Sequence, residues 1–554
     1  MVAADRLDGS GCSTAGVVRS LGSFDRPVAA EPTGLVAGAS AMASLRLSRG
    51  FDLMSGRGFA RRCWRRRGRV DMGGFLDATG ATIAQALYQR LREKIIESDG
   101  FLPFVDVMQT LLYEPRLGYY VNGRRRFGAD GDFVTAPEIS PLFGATLARA
   151  VDRLCAATAL PPRVFEFGPG SGRLAASLIR ESIQLGRPVE RYDLLEVSPD
   201  LRRAQRETLV AELGEALVDA RVHWVDDWPD ADFAGVILAN ELFDAFTVEW
   251  FVWRGRDAVP GQVGLTLAAT AESDRGDGGL ASLSGIAWAE RDAPQELAAQ
   301  IVELERRYGP WPEGYTSEWC PHLDAWWRSL ATALGVRGRA VALVIDYGYP
   351  GHERHAPERC MGTLAGASRH HRVADPRESP GSVDWTAHVD FTQVYEAALA
   401  AGFAVLGYAP QGQFLLAAGL AEVFSRTVTP EPSESVMARS GEPPLTDSTS
   451  PTEVDAGFDR PLSSEAGPLG AAVKPDVAGQ SVRGDTAPAR AVTIAAQAVR
   501  ALTLPGEMGE VFKVFCAGWN VGGDTGTSEA GQSWPADWPN HLGRLNAGSS
   551  RPEE

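Results

Sequence analysis

The stretch VFEFGPGSGRLAASLIRE, residues 164–181, changes from a short apolar run into a glycine-rich turn and then into helical spacing. This order predicts a strand, a tight turn and a helix, because glycine adopts positive φ without steric cost and lets a ligand approach the backbone closely. At the first strand-to-helix turn of an open parallel sheet, such glycines line the ligand crevice at the carboxyl ends of the strands. The stretch therefore predicts a ligand-binding α/β fold.

Candidate strands and helices alternate beyond this turn. The apolar strand candidates cover residues 164–167, 192–197, 222–225, 235–239 and 341–347. With helical patterns between the early strands, this rhythm predicts a Rossmann-like, mostly parallel sheet with helices on both faces. Two later candidates, residues 413–417 and 510–519, are expected to pair as an antiparallel terminal hairpin.

An unusually long connection separates the fourth and fifth strands. Residues 245–340 contain both strand-like and helix-like patterns, and the span is too long for an ordinary βα loop. We therefore predict an inserted substrate-binding subdomain, which forms the substrate cleft together with N-terminal helices in residues 72–150. The core is expected to comprise residues 151–244 and 341–426, with a terminal helix and strand in 492–520. A cleft of this size favours a protein substrate over a small metabolite.

Three compositionally biased segments are predicted to be disordered. Residues 1–71 are basic and could be an upstream extension that ends before a start at Met72, an organelle transit peptide, or an arm for RNA or a membrane surface. Residues 427–491 are an acidic Pro- and Ser-rich insertion with too little apolar surface to offset chain ordering. Residues 521–554 are expected to be a disordered tail.

Composition and charge exclude several classes of function. The 554 residues are 44% hydrophobic and 23% charged, and no apolar run approaches the roughly 20 residues of a membrane-spanning helix. The net charge of −17 argues against nucleic acid as a partner, because phosphate binding needs clustered Lys and Arg. The six cysteines are scattered without a C-x-x-C pair, which predicts free thiols and no zinc or other metal site.

The spacing of the glycines discriminates between cofactor classes. A dinucleotide site requires G-x-G-x-x-G, but Gly168, Gly170 and Gly172 place the third glycine one residue early, with Arg173 where a small residue is needed. The sequence also lacks the G-x-x-x-x-G-K-[ST] run of a P-loop. Glu166, two residues before the turn, disfavours an anionic pyrophosphate and favours a ligand with an ammonium group. S-Adenosyl-L-methionine, which has an amino group, a sulfonium and no phosphate, fits this turn.

Acidic residues after the next two strands extend the cofactor prediction. Glu196 ends the second strand, where its carboxylate can accept hydrogen bonds from both ribose hydroxyls, although an NAD site would use such an acid as well. Asp226 or Asp227 follows the third strand and could take the adenine amino group. An NAD-dependent oxidoreductase and a turn without any ligand remain the alternatives.

Eight separated stretches carry a family resemblance. They are GYY (118–120), GDFVTAPEISPLFG (131–144), EFGPGSGRL (166–174), ANELFDAFTV (239–248), PEGYTSE (312–318), VIDYGYP (344–350), DWTAHVDF (384–391) and MGEVFKV (508–514). In these stretches the chain resembles the MidA family of S-adenosyl-L-methionine-dependent methyltransferases, which includes the mitochondrial complex I assembly factor that methylates a protein arginine. The resemblance implies a class I methyltransferase fold, S-adenosyl-L-methionine as the cofactor and a protein arginine as the substrate.

The resemblance also implies site residues at the carboxyl edge of the sheet. Glu241 and Asp244 are the candidate catalytic carboxylates that orient a guanidinium, and Asn240 is a candidate contact for the cofactor. Asp132 is expected to close over the cofactor, and His388 to act as a polar contact or proton acceptor. For each of these residues, a purely structural role such as helix capping or turn stabilisation is the alternative.

Different classes of function therefore remain open. The first is a protein-arginine methyltransferase, with a respiratory complex I subunit as a candidate partner and a homodimer as a candidate oligomeric state. The second is a non-catalytic assembly factor that keeps the fold, and a methyltransferase for another substrate class is a further alternative. The scarcity of lysine beside abundant arginine indicates a GC-rich coding bias and favours the bacterial cytoplasm, whereas a transit peptide in residues 1–71 would indicate the mitochondrial matrix.

Overall fold

The computed structural model describes residues 80–122, 135–267, 285–368, 371–373, 375–377, 379–429, 487–505, 507–521 and 534–545. The predicted basic extension, residues 1–71, most of the predicted insertion, residues 427–491, and the candidate cofactor residue Asp132 lie outside these ranges. Inside them, no helix combines the length and the apolar character that crossing a membrane requires. The cysteines of the described ranges are free thiols, as their spacing predicts: Cys155, Cys320, Cys360 and Cys516.

The described elements alternate through the core as the sequence patterns predict. The helices are α1 (Gly80–Glu97), α2 (Phe104–Tyr113), α3 (Ala136–Ile139), α4 (Pro141–Thr158), α5 (Arg173–Gln184), α6 (Pro199–Leu213), α7 (Glu215–Arg221), α8 (Gln295–Tyr308), α9 (Leu323–Leu334), α10 (Gly351–Arg354), α11 (Phe391–Ala400), α12 (Gln411–Ala417), α13 (Leu420–Val428), α14 (Ala487–Thr503) and α15 (Met508–Val511). The strands are β1 (Leu102–Pro103), β2 (Arg163–Phe167), β3 (Arg191–Leu195), β4 (Val222–Val225), β5 (Ala234–Asn240), β6 (Glu249–Val252), β7 (Gly261–Leu267), β8 (Ile286–Asp292), β9 (Thr316–Trp319), β10 (Arg339–Tyr349), β11 (Ala365–Ser368), β12 (His371–Val373), β13 (Asp384–Thr386), β14 (Val389–Asp390), β15 (Ala404–Pro410) and β16 (Phe512–Trp519).

The core is an eight-stranded sheet in the order β15-β16-β10-β5-β2-β3-β4, with β14 pairing the end of β10. The strands from β10 to β4 run parallel to their neighbours, whereas β16 is antiparallel to both β10 and β15. The predicted mostly parallel sheet with an antiparallel terminal pair is therefore confirmed. Because β2 lies between β5 and β3, the glycine turn after β2 opens at the point where the strand order reverses.

One strand of the terminal pair lies elsewhere than the sequence predicts. The prediction of a strand over residues 413–417 is wrong, because Gln411–Ala417 is a helix and β16 pairs instead with Ala404–Pro410. Pro410 ends the strand and directly precedes the helix, a position that its fixed φ suits. The following apolar run is too short for its period to separate strand from helix.

The inserted segment forms an antiparallel sheet of its own, in the order β1-β7-β6-β9, with β8 pairing β7. Its edge strand β1 comes from the N-terminal region and places Leu102 opposite Leu265. Tyr113, at the end of α2, donates a hydrogen bond to the backbone carbonyl of Ala245. The N-terminal helices and the insertion thus form one packed unit that is tied to the core just after β5.

The predicted disordered insertion, residues 427–491, includes helical residues among those that the structure describes. Helix α13 continues to Val428, and α14 begins at Ala487, so both ends of the segment 427–491 include helical residues. α14 contributes Ala498 and Leu502 to the apolar core. The start of α14, residues 487–491, is rich in alanine and proline and resembles the biased composition before it, so its helix was not predicted to begin there.

The C-terminal region also departs from its prediction. The expectation of a disordered tail over residues 521–554 is wrong for residues 534–545, which pack against the core. Trp534 and Trp538 are each 4% exposed, and the ring of Trp538 lies 4.9 Å from that of Phe414. These two tryptophans and the buried Leu545 supply the apolar contact that orders this segment.

A buried ion pair joins the inserted sheet to the core. Arg354 in α10 and Glu318 in β9 are 2% and 3% exposed, and the guanidinium donates hydrogen bonds to the Glu318 carboxylate and to Ser317 Oγ. Glu318 also accepts from the backbone N–H groups of Thr363 and Leu364, at 3.0 and 3.1 Å. Burial acts to raise the pKa of Glu318, but Arg354 and these N–H groups outweigh it and hold that pKa below its ordinary value.

Replacing this arginine is expected to destabilise the protein strongly. Arg354→Met should lower the free energy of unfolding by about 3–5 kcal/mol, because Glu318 then stays buried without its cation. Urea denaturation at neutral pH measures the change. Arg337→Met is the matched control, since the pair Arg337–Asp232 is 70% and 71% exposed and should contribute little. Equal losses in the two variants would contradict the structural role of the buried pair.

Candidate functional site

The turn between β2 and α5 holds all three glycines in the left-handed region. Gly168, Gly170 and Gly172 have φ values of 75°, 52° and 84°, which residues with a Cβ rarely adopt. Gly172 is also the N-cap of α5, and a Cβ at this position would lie 3.5 Å from Gln205. The glycine turn predicted from the sequence is therefore confirmed, at the carboxyl end of the central strand.

Glu166 lies in the core beneath this turn. It is 1% exposed, and its Oε2 accepts a hydrogen bond of 2.8 Å from the hydroxyl of Tyr192 on β3. Burial raises the pKa of Glu166 to about 7, against the opposing effect of the Tyr192 hydrogen bond. A carboxyl group that is only partly ionised at neutral pH attracts an ammonium group less strongly, so direct cofactor binding by Glu166 stays a prediction.

Glu196 lies at the end of β3, fully buried beside the turn. Its Oε1 accepts from the backbone N–H groups of Val197 and Ser198, at 2.7 and 2.8 Å, and its Oε2 accepts from Gln205 Nε2 at 3.0 Å. These three bonds occupy most of the roughly four acceptor positions of a carboxylate. Glu196 is therefore held firmly at the edge where the ribose was predicted, and a diol would share the carboxylate with these donors.

The two aspartates that follow β4 lie on the same edge. Asp226 is 70% exposed and its Oδ1 accepts from Arg202 Nη2 at 2.5 Å, while Arg202 Nε donates to the backbone carbonyl of Glu196 at 2.6 Å. Asp227 is exposed and its Oδ1 accepts from the N–H of Trp228 at 3.2 Å. Arg202 thus ties the ends of β3 and β4 together, and the adenine contact of either aspartate stays a prediction.

A second set of predicted residues ends the neighbouring strand β5. Glu241 has a φ of 50°, which turns the chain sharply after the strand, and its backbone N–H donates to the carbonyl of Ile345 at 2.8 Å. Its Oε1 accepts from Asn240 Nδ2 at 3.2 Å and from the N–H of Ala136 at 3.3 Å. Among the described residues, nothing donates a hydrogen bond to the buried Oδ1 of Asn240 or of Asp244. Two acceptors at this edge are therefore available to a ligand.

Asp346, in the adjacent strand β10, organises the turn after β5. Its Oδ2 accepts from the backbone N–H groups of Leu242, Phe243 and Asp244 at 3.0, 2.8 and 3.2 Å, and its Oδ1 accepts from the N–H of Tyr347 at 2.9 Å. Burial raises the pKa of Asp346, as do the nearby Asp244 and Glu241 carboxylates, and the N–H donors oppose this rise. The carboxylate acts as a hub that fixes the backbone of the NELFDA segment.

Two tyrosines complete the surroundings of these acids. The Tyr120 hydroxyl donates to both oxygens of Asp384, at 2.8 and 2.9 Å, and the Tyr347 hydroxyl bonds to Asp244. Tyr120 stacks on Tyr113 with ring centroids 5.6 Å apart. Four acidic side chains thus belong to one electrostatic group, which we call the carboxylate cluster: Glu241, Asp244, Asp346 and Asp384.

The carboxylate cluster favours bound protons or a bound cation. Burial, together with the neighbouring Asp244 and Asp384 carboxylates, raises the pKa of Glu241 to about 8, against the opposing hydrogen bonds from Ala136 and Asn240. Burial also raises the pKa of Asp244 to about 6, although the hydrogen bond from Tyr347 acts in the other direction. A cationic group that enters the cluster would relieve the repulsion between these carboxylates.

His388 lies one layer behind the cluster. Its ring meets Tyr347 edge-on at 5.2 Å and stacks on Tyr349 at 5.3 Å between ring centroids. Its backbone N–H donates to Thr363 Oγ1 at 3.1 Å. The structure therefore connects His388 to Asp244 through Tyr347, and its role as a proton acceptor stays a prediction.

A short helix bridges the glycine turn and the carboxylate cluster. At one end of α3, the N–H of Ala136 reaches Glu241. At the other end, Glu138 accepts a hydrogen bond from the Ser171 hydroxyl and forms an ion pair of 3.2 Å with Arg173. The segment GDFVTAPEISPLFG thus contacts both halves of the site through its described residues, whereas the role expected for Asp132 lies outside them.

Several residues of the site were missed by sequence reasoning. Tyr120, Asp384 and Glu138 all lie in stretches that carry the family resemblance, so the motifs contained a usable signal. Gln205, by contrast, lies inside α6 with no motif around it. Its importance depends on the packing of α6 against the turn, which one sequence cannot reveal.

Comparison with known proteins identifies the cofactor class. A family model for S-adenosyl-L-methionine-dependent methyltransferases matches residues 144–409. A crystal structure from Burkholderia thailandensis with bound S-adenosyl-homocysteine is similar, with a TM-score of 0.59 and 31% sequence identity, over 81% of this chain and 95% of that one. The prediction of S-adenosyl-L-methionine as the cofactor is confirmed.

Curated relatives carry information about the methyl acceptor. The chain is 29% identical over 359 residues to the mitochondrial protein arginine methyltransferase NDUFAF7 homolog of Drosophila melanogaster, covering 60% of this chain and 74% of that protein. It is 28% identical over 352 residues to the mitochondrial protein arginine methyltransferase NDUFAF7 of Homo sapiens, covering 59% of this chain and 71% of that protein. The similarity to both proteins is distant but extends over most of their length.

Proposed function

Since this chain belongs to the MidA-like family of S-adenosyl-L-methionine-dependent methyltransferases, we propose that its methyl acceptor is an arginine side chain of a partner protein. The observation that carries the proposal is the carboxylate cluster beside the cofactor edge, with the buried Asp244 Oδ1 open to a donor. A guanidinium is planar and permanently charged, and it matches paired carboxylates better than other cations do. The names of the two curated relatives support the same substrate class.

The residues at the carboxyl edge fit the cofactor. The glycine turn permits close approach of the methionine part, and Glu196 can accept from a ribose hydroxyl beside Gln205. The buried Asn240 Oδ1 is an acceptor that an amino group would satisfy. When bound, S-adenosyl-L-methionine supplies an electrophilic methyl group on its sulfonium. The chain must then exclude water and hold the acceptor nitrogen in line with that methyl.

The carboxylate cluster has the properties that guanidinium positioning requires. Asp244 and Glu241 can each accept from one edge of the guanidinium, while Asp346 and Tyr347 hold Asp244 in place. A nitrogen that gains a methyl group must lose a proton, and Glu241, with a pKa near 8, is the acceptor that we propose for it. We assign His388 the role of a positioning residue, because it touches the tyrosine that bonds Asp244.

The proposal predicts a rate that rises with pH. Glu241 and Asp244, with pKa values of about 8 and about 6, bind the cation only in their ionised forms, which exist above those values. At about pH 6 only about one hundredth of Glu241 is ionised, so kcat/KM should be about 100-fold lower there than near pH 9. Initial rates on subsaturating protein substrate measure the profile. A flat profile would contradict the roles proposed for Glu241 and Asp244. In Glu241→Gln, the rise of kcat/KM that remains should move towards pH 6, because it then depends on Asp244 alone.

The partner and the compartment form the finer part of the proposal. The MidA family includes a complex I assembly factor, so a respiratory complex I subunit is the first partner to test. We propose the bacterial cytoplasm as the compartment, with the mitochondrial matrix as the alternative that the relatives' names support. A non-catalytic assembly factor would bind the partner without transferring methyl groups. Detection of a labelled methyl group on arginine separates the two functions.

A further inference from the structure

Gln205 occupies a buried position between the glycine turn and the ends of β3 and β4. Its side-chain Nε2 donates to the Gly170 carbonyl at 2.9 Å and to Glu196 Oε2 at 3.0 Å, and its Oε1 accepts from Trp224 Nε1 at 2.8 Å. It is fully buried, so water does not compete for these groups. The Gln205 side chain thus connects the glycine turn and Glu196, which are both predicted to bind the cofactor, with Trp224 on β4.

The partners of Gln205 fix the orientation of its amide. An indole N–H only donates, so Trp224 requires the amide oxygen on its side. Both N–H donors of Nε2 then point towards the Gly170 carbonyl and the Glu196 carboxylate. If the amide rotated by half a turn, its oxygen would face the Glu196 carboxylate and its nitrogen would face the indole N–H, and both contacts would be unfavourable.

We propose that Gln205 is a positioning residue for the cofactor: it holds the glycine turn and an ionised Glu196 in the arrangement that the ribose diol needs. A diol donates two hydrogen bonds, and an ionised carboxylate accepts them more strongly than a protonated one does. This inference depends on cofactor binding alone and is independent of whether the methyl acceptor is arginine.

The protonation of Glu196 is the property through which Gln205 acts. Burial raises the pKa of Glu196, while the backbone donors, the Gln205 amide and the charge of Arg202 lower it. Removing the amide donor should therefore raise that pKa further. In Gln205→Glu, a second carboxyl group lies beside Glu196. The two groups should share a proton at low pH and repel each other at high pH, when both are ionised.

The other charged groups around Glu196 are already paired. Arg202 is bound to Asp226. Residues 168–172 of the glycine turn contain no titratable side chain, and Arg173 at its end pairs with Glu138. Glu166 on the neighbouring strand titrates near 7 in the wild type as well, so comparison with the wild type at each pH removes its contribution.

The test is calorimetric titration of the full chain with S-adenosyl-homocysteine at about pH 6 and about pH 8.5. The measured quantity is the ratio of the variant Kd to the wild-type Kd at the same pH, which also cancels titration of the ligand. For Gln205→Met we expect a ratio of about ten at the lower pH and a smaller ratio at the higher pH, where only the lost contact with Gly170 still weakens binding. For Gln205→Glu we expect the opposite trend, with the larger ratio at the higher pH.

Trp224→Phe provides an independent variant that leaves Gln205 in place. Losing the indole donor removes one of the three partners that orient the Gln205 amide. The Kd ratio of Trp224→Phe should therefore follow the trend of Gln205→Met with a smaller amplitude. Ratios that are equal at the two pH values, or ratios of one throughout, would overturn the proposal and leave Gln205 as a packing residue. If the Gln205 variants do not fold, the pH trend of Trp224→Phe decides the question in the same way.

Discussion

Replacement of Gly168 with valine is expected to abolish cofactor binding and methyl transfer together. Gly168 has a φ of 75°, and a β-branched residue in this conformation costs on the order of 1–3 kcal/mol. Relaxation of the turn to avoid that cost would remove the surface that the cofactor approaches. Calorimetric titration with S-adenosyl-homocysteine should show at least about 100-fold weaker binding, the equivalent of roughly 2.7 kcal/mol.

Gly186→Val is the matched control for this variant. Gly186 has a φ of 71°, and a Cβ at this position would meet nothing within 4 Å. The two substitutions therefore impose similar backbone strain, but only one of them changes the cofactor edge. Similar losses of affinity in both variants would show that backbone strain alone destroys binding. That result would contradict the prediction that the cofactor binds at the glycine turn.

The second large effect is expected at the carboxylate cluster. Asp244→Asn replaces a carboxylate oxygen with an amide nitrogen, which cannot accept from a guanidinium, and keeps the shape of the side chain. Turnover should fall by about 10²–10³-fold, the range found for loss of one preorganised electrostatic group. The affinity for S-adenosyl-homocysteine should stay within about twofold, because Gly168, Gly170 and Glu196 are untouched.

Glu249→Gln is the control for loss of a half-buried acid outside the cluster. Burial raises the pKa of Glu249 to about 7, and its carboxylate accepts from Gln262 Nε2 at 2.9 Å within the inserted sheet. The variant removes a comparable charge without touching Asp244 or Glu241. Unchanged turnover in Asp244→Asn, or equal losses in both variants, would contradict the role given to the cluster.

The sequence predicted the positions of the glycine turn and of Glu196 better than the contacts of the carboxylate cluster. The glycine turn and Glu196 follow from local rules, because a strand, its turn and the next strand end fix where these residues lie. The hub formed by Asp346 and the Tyr120–Asp384 contact join residues about 100 and 264 positions apart. Local periodicity contains no information about such pairs, so only the motifs indicated them.

The errors in the fold prediction have a common physical origin. The terminal strand was placed in residues 413–417, which belong to the helix Gln411–Ala417, and residues 534–545 were expected to be disordered, because short segments carry little periodic signal. Tertiary contacts decide both cases, since Phe414 packs against Trp534 and Trp538. The helix Gln411–Ala417 and residues 534–545 therefore bury apolar side chains against each other.

The most direct test of the central claim follows a labelled methyl group to its acceptor. The full chain is incubated with S-adenosyl-L-methionine that carries a deuterated methyl group and with a protein extract from cells that lack the enzyme, and mass spectrometry then locates the label. We expect the label on arginine guanidinium nitrogens, and its absence with Gly168→Val and with Asp244→Asn. Label on another residue type, or no label from a wild-type protein that binds S-adenosyl-homocysteine, would contradict the proposed arginine methyltransferase activity.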